Sequence, residues 1–174
     1  MAAAAVIGAD FIWMDHPDEF LFSDRETRLD FLNVVRRARP DVILTHAPVD
    51  YHPDHRTTGQ ILWDIRVMTT VPNIKTASPP CEKIPEIYYF DTVAGIEFVP
   101  QHYVDITETF ELKQRMLACH KSQSVWLENQ YKMSYLEFIE YIARYRGLQC
   151  GTSYAECFQV SPTWPKRFEG TLLP

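Results

Sequence analysis

The sequence predicts an open α/β fold with a mostly parallel sheet and helices on both faces. Three observations lead there. Asp41 to Thr45 reads Asp-Val-Ile-Leu-Thr, an unbroken apolar run of strand length, as expected of a strand covered on both faces. A helical pattern precedes it and another follows within a dozen residues, so strands and helices alternate. Hydrophobic residues make up 46% of the 174 residues and aromatics 13%, enough apolar material for a substantial core in a single domain, residues 1–174.

The elements follow in order. Met1 to Ile7 is alanine-rich and reads as the tail of a helix, with Gly8 as its C-terminal stop. Ala9 to Met14 reads as a short buried strand. A chain that opens on the last turns of a helix is expected to lack the first strand-helix unit of such a sheet. Asp15 to Phe22 is a loop containing Pro17. Asp24 is a good N-cap for a helix carrying Leu29, Leu32 and Val35 at helical spacing up to Arg37, and Pro40 closes it.

After the strand ending at Thr45, a loop from Ala47 to His52 leads into a helix from Pro53 to about Met68. Pro72, Pro79, Pro80 and Pro85 make Val71 to Pro85 a loop. Ile87 to Phe90 and Tyr103 to Ile106 read as strands. Thr107 caps a helix predicted to run to about Ser122, with Phe110, Met116 and Leu117 on its buried face. A further helix spans about Ser134 to Tyr145, ended by Gly147, and Ala155 to Val160 is a last strand or an extended packing segment.

Composition narrows the function. A formal charge of −6 with no basic stripe argues against nucleic acid, because neutralising phosphates supplies most of that affinity. No apolar run reaches the length of a membrane span, and the short apolar start has no basic region before it, so a soluble cytoplasmic protein is expected. Cys81, Cys119, Cys150 and Cys157 show no CxxC spacing and read as reduced thiols rather than as a metal site or disulfide framework.

Tyr51-His52-Pro53-Asp54-His55-Arg56 is the most informative stretch. It follows a buried strand and opens a helix with Pro53 in its first turn, where open α/β sheets place ligand sites. Two histidines three residues apart project to one side. A neutral imidazole is a common zinc ligand, and Asp50 and Asp54 are at hand to orient an imidazole or hold it protonated. The same residues also suit a plainly structural end, the histidines capping a helix or pairing with Asp50 and Asp54.

The wider pattern weighs toward chemistry. Arg39-Pro40-Asp41-Val42-Ile43-Leu44-Thr45-His46 with Asp50-Tyr51-His52-Pro53-Asp54-His55-Arg56 resembles the second motif block of the LmbE/PIG-L zinc-dependent de-N-acetylases. Tyr103-Val104-Asp105-Ile106-Thr107 with Lys113, and His120-Lys121-Ser122-Gln123, resemble a later block; Arg146-Gly147 and Tyr154-Ala155-Glu156-Cys157-Phe158 resemble the closing one. The resemblance implies a Rossmann-like sheet and removal of an N-acetyl group from an N-acetylglucosamine-type substrate by a water activated on Zn2+. It implies His55 as the zinc ligand, His52 as the group that stabilises the oxyanion or protonates the leaving amine, and Asp54 beside it as part of the catalytic set.

In that family an N-terminal His-Pro-Asp-Asp-Glu motif supplies the remaining ligands and the base. His16-Pro17-Asp18-Glu19 does not match it: no glycine-rich helix start follows, and the distance to His52 is too short for an intervening strand-helix-strand. The expectation is an incomplete Zn2+ site, with this chain alone inactive, and Asp18 on the rim of the substrate site instead. Tyr51, Arg56 and His120 are further substrate-binding candidates, although Arg56 suits a surface salt bridge equally well. His46 is either beside the site or a satisfied core histidine, and Glu156 a buried, paired carboxylate. Trp63, Trp126 and Trp164 read as packing residues rather than sugar platforms. The competing reading is a non-catalytic binding or assembly module, and an exposed sheet edge would make a homo-oligomer plausible.

Overall fold

The computed structural model describes residues 1–164. Four strands form one open sheet in the order β1-β2-β4-β3: β1 Val42–Thr45, β2 Glu86–Phe90, β3 His102–Asp105 and β4 Ala155–Val160. The α/β class stands, but the pairing is mixed rather than mostly parallel. β1 and β2 are parallel, with Ile43 opposite Ile87. β4 runs antiparallel to both its neighbours, with Phe90 opposite Phe158 on one side and His102 opposite Phe158 on the other. The cause is topological: β4 returns directly from a long helix between β2 and β3, and nothing in its own residues encodes direction.

Two helices build the core beneath β1. Helix α2 (Arg25–Ala38) begins at Asp24, whose side chain accepts the Thr27 N–H. It ends at Arg39 in the left-handed region, φ 48°, just before Pro40. Helix α3 (Pro53–Ile65) packs against it through Phe31, Leu32, Val35, Ile61 and Ile65, with Ile43 of β1 joining from the sheet. Each fully buried leucine or isoleucine of this set contributes roughly 1.5–3 kcal/mol. A 3-10 turn, Val67–Thr70, takes the place of the last turn expected of α3.

The loop after that turn is organised by Arg36. Its guanidinium is 1% exposed, and it donates to the carbonyls of Thr69, Met68, Val71 and Ile74 and to the Thr76 hydroxyl. A helical arginine facing inward thus satisfies carbonyls that this irregular segment cannot pair with itself.

Three further expectations are corrected. Ala9 to Met14 forms no strand: Phe11 and Trp13 are exposed, and no strand of the sheet pairs with their backbone. The helix expected from Thr107 to Ser122 is broken into a 3-10 turn (Thr107–Thr109), α4 (Phe110–Leu117) and α5 (Lys121–Tyr131), because His120 leaves helical space with ψ 64°. The last helix, α6 (Tyr135–Cys150), runs through Gly147 and stops at Gly151, φ 82°. Gly147 is required for another reason: a Cβ there would lie 2.6 Å from the Thr152 carbonyl oxygen, where the chain turns back toward β4.

Helices α4 and α6 meet the other side of the sheet's run through Ile106, Phe110 and Ala143, completing with the short α1 (Ala2–Val6) the helical complement. At β1, cover is one-sided. Ile43 is packed, whereas Val42 and Leu44 are 48% and 56% exposed, so this edge strand shows an open apolar face. Among the described residues, no helix is long and apolar enough to cross a membrane.

Candidate active site

The site is assembled where β1 ends and α3 begins. Asp50 starts it. One of its oxygens, Oδ1, accepts the backbone N–H of His52 at 2.9 Å, a local turn that aspartate forms readily, and also meets His55 Nδ1 at 3.0 Å. The side chain is 2% exposed. His52 then serves as the N-cap of α3: its Nδ1 accepts the Asp54 N–H at 3.3 Å, and Pro53 takes the first helical position, where no N–H is needed. Both structural roles foreseen for these histidines are therefore real, and they hold the rings in place.

Five aromatic rings cluster at this turn. His46 lies flat on His55, centroids 3.9 Å apart and planes 7° apart, and Phe90 meets His46 edge-on at 4.7 Å. The His52 ring is 4.6 Å from that of His55. Tyr51 stands nearly perpendicular to both His52 and His55 and is 62% exposed. Burial pushes the His46 pKa down to about 4, and the neighbouring His55 adds to the effect, so His46 is neutral near pH 7. Gly59 makes the close packing possible: any Cβ there would collide with the His46 carbonyl oxygen.

His46, Asp50 and His55 offer donor atoms that all lie within 4.8 Å of one another, the one such group among the described residues. Their fit to a metal differs residue by residue. With Nδ1–H donated to the buried Asp50 carboxylate, the lone pair of His55 is left on Nε2, the arrangement in which metal-binding histidines are oriented from behind. His46 cannot share the same ion in this pose, since a metal sits in the plane of an imidazole and these two planes are stacked. Asp50 commits Oδ1 to its two hydrogen bonds, which leaves Oδ2 as the oxygen it could offer to an ion. The chemistry of the donor set thus prepares His55 as ligand and Asp50 as its orienting partner.

A second segment reaches the site from residues 15–22. Asp54 does not orient an imidazole. Its two oxygens accept the backbone N–H groups of Glu19 at 2.7 Å and Leu21 at 3.2 Å, so it anchors a loop. The Glu19 carboxylate then reaches His52 Nε2 at 3.1 Å. Glu19 and Asp15 both sit in the left-handed region, φ 68° and 58°, a strained state for residues with a Cβ. In the sequence Glu19 stands out only as the last residue of the His16-Pro17-Asp18-Glu19 run; no local signal announces a contact across 33 residues.

The other candidates separate. Arg56 donates to the carbonyls of Asp50 and Tyr51 at 2.7 and 2.8 Å, tying the loop to its own helix rather than forming a salt bridge. Asp18 is exposed on the docked loop, one residue from Glu19. His16 is turned away: its ring packs 6.1 Å from Phe31, and Nε2 is buried without a hydrogen-bond partner. His120 lies elsewhere, exposed at the start of α5 and lining a cavity of about 510 Å3 with Lys113, Glu156, Met116 and Tyr135. Glu156 is paired as expected, to Lys113 at 2.6 Å, but both are more than a third exposed. Trp63, Trp126 and Trp164 are 40%, 52% and 90% exposed; Trp63 donates its N–H to the Pro162 carbonyl, and Trp126 meets Tyr131 edge-on at 6.0 Å.

Comparison with known proteins bears on this arrangement. Residues 1–66, which include the whole of this turn, match the family described as PIG-L, GlcNAc-PI de-N-acetylase. Over this segment the chain is similar to the PIG-L family. It is 27% identical over 92% of its length to diacetylchitobiose deacetylase of Thermococcus kodakarensis, and 28% identical over 86% to 4-oxalmesaconate hydratase of Pseudomonas putida. It spans 60% and 55% of the length of those relatives. The structure resembles N,N'-diacetylchitobiose deacetylase from Pyrococcus horikoshii, solved with its inhibitor MPG, with a TM-score of 0.75, 27% identity and coverage of 92% of this chain and 60% of that one. A TM-score of 0.79 to the conserved protein TT1542 from Thermus thermophilus, at 24% identity over 95% of this chain and 71% of that one, speaks for the fold alone. The relatives are a deacetylase and a hydratase, so the comparisons do not single out one substrate.

Proposed function

We propose that this chain carries the His52/His55 half of a metal-dependent hydrolase site that removes the N-acetyl group from an N-acetylglucosamine-type substrate. The observation that carries the reading is the Asp50–His55 pair: a buried carboxylate fixes Nδ1–H and leaves Nε2 free for Zn2+, beside a second histidine with an N–H to offer. The 27% identity to a diacetylchitobiose deacetylase supports the substrate class.

His55 Nε2 would hold the ion, and Asp50 keeps the ring from turning. A bound zinc ion supplies Lewis acidity and a water of lowered pKa. His52 has its Nδ1 committed to the Asp54 N–H, so its neutral ring carries the proton on Nε2, the atom placed to donate to an acyl oxygen as charge develops there. Asp54 acts as a positioning residue rather than a catalytic one: it fixes the helix start that bears His52 and docks the 15–22 loop. Tyr51 and Asp18 stand on the rim, where a sugar would approach. Such a protein works in the cytoplasm on a small N-acetylated sugar or glycoconjugate.

The hydratase relative favours a second reading, since water addition to an unsaturated carboxylate also calls on an activated water and a proton donor. The two separate cleanly in one assay. The chain, loaded with zinc, is offered di-N-acetylchitobiose and, separately, an unsaturated hydroxy-dicarboxylate. Acetate release supports the deacetylase; loss of the conjugated absorbance with no acetate supports the hydratase. Neither reaction, with zinc demonstrably bound, would leave a binding or assembly module.

A further inference from the structure

We propose that Glu19 is an internal competitor for substrate: its carboxylate occupies the position from which a substrate acyl oxygen would accept the His52 Nε2–H, and it must swing away before that oxygen can bind. This rests on the reading of His52 as the donor to the acyl group.

The tautomer is the first step. The Asp54 backbone N–H points at His52 Nδ1 at 3.3 Å, and a nitrogen that accepts a hydrogen bond carries no proton of its own. In the neutral ring the proton is therefore on Nε2, and it is directed to Glu19 Oε1 at 3.1 Å. One N–H serves one acceptor well. A carbonyl oxygen of an acetamide and the Glu19 carboxylate cannot both hold it. The occupant is also chemically apt, since a carboxylate is the group that hydrolysis of an acetamide produces.

The loop is built to hold the competitor near the donor without locking it there. Asp54 clamps the backbone on both sides of Phe20, through the N–H groups of Glu19 and Leu21. Glu19 itself is in the left-handed region, a conformation that a non-glycine residue keeps only when its surroundings enforce it. Its side chain, however, is 57% exposed, against 20% for His52. Rotation about the side-chain torsions alone moves the carboxylate into water at little solvation cost, while the clamp keeps it within reach for return. Asp54 thus links the helix that presents His52 to the loop that covers it.

The test is a titration of the metal-free chain with sodium acetate, followed by the 1H and 15N shifts of the His52 ring, in the wild type and in Glu19→Ala and Glu19→Gln. Occupancy predicts that Glu19→Ala loses the hydrogen-bonded Nε2–H signature and binds acetate about tenfold more tightly. Glu19→Gln removes the charge but keeps an acceptor in place, and its affinity is expected to stay within about threefold of the wild type. Equal gains in Ala and Gln would overturn the proposal, because relief of charge alone would then explain them. Unchanged or weaker affinity in Glu19→Ala, including no detectable binding to either protein, would overturn it too. The readout needs no turnover, so failure of the deacetylase reading, seen as no acetate release from any N-acetyl sugar with zinc bound, is distinguishable from failure of this inference.

Discussion

Asp50 Oδ1 stands 3.0 Å from His55 Nδ1, on a carboxylate that is 2% exposed and also accepts the N–H of His52. One buried oxygen therefore sets both the backbone turn that starts α3 and the ring of the candidate metal ligand.

This relationship ranks the three clustered residues by their effect on zinc. His55→Ala is expected to abolish detectable binding. Asp50→Asn keeps an acceptor but loses the charge, and should weaken zinc about 10- to 100-fold, the range for partners behind a metal ligand. His46→Phe preserves the stack on His55 and should change affinity less than about threefold. Competition against a chromophoric chelator measures all three. A loss at His46 equal to that at His55 would show that the stacked ring turns and coordinates, and the assignment would fall.

The local parts of this site were legible and the long-range parts were not. His52 with Pro53 marks a helix start because N-capping and the first-turn proline act within four residues, and β1 announced itself by an unbroken apolar run. The resemblance carried His55. The antiparallel direction of β4, the break at His120 and the fate of Ala9 to Met14 all depend on what a segment meets in space, which its own residues do not encode. Glu19 shows this most plainly: its two partners, His52 and Asp54, lie 33 and 35 residues away.

Gly59 couples fold to site. Its missing Cβ lets α3 approach the backbone of His46, and both partners are held, one by a helix and one by the end of β1. Gly59→Ala should destabilise the protein by about 1–3 kcal/mol, the range for forcing extra volume into a packed position, despite alanine's better helix propensity. Urea unfolding gives the number. A stabilised variant would mean that β1 and α3 separate freely, against the packing described.

Arg36 is the largest fully buried side chain, and its charge faces carbonyl oxygens rather than a carboxylate. Replacing it with methionine fills much of the space but leaves the carbonyls of Met68, Thr69, Val71 and Ile74 without their donor. A loss of roughly 3–5 kcal/mol is expected, as for a broken buried polar network. Arg36→Lys should recover little, since an ammonium cannot reach carbonyls spread around a planar fork. Denaturant midpoints of the two variants decide it; a loss below about 1 kcal/mol in Arg36→Met would show that water replaces the guanidinium.

Cys157 tests the interior under β4. It is 1% exposed, its Sγ lies 3.3 Å from Asp91 Oδ2, and burial, followed by the Asp91 charge, pushes the thiol up to about 12. At pH 8 it is a neutral thiol shielded from reagents, as thiolate formation is required for attack. Brief alkylation of the native chain should modify Cys119 and Cys150, which have exposure, and spare Cys157 and the buried Cys81; mass spectrometry after digestion reads this directly. The linkage has a definite sign. A folded pKa above the unfolded one stabilises the fold fully below the unfolded value, near 9, and that contribution is lost as pH rises toward 12. The stability gap between wild type and Cys157→Ala should therefore be constant below pH 9 and narrow above it. A gap that stays constant to pH 11 would place the thiol in contact with water.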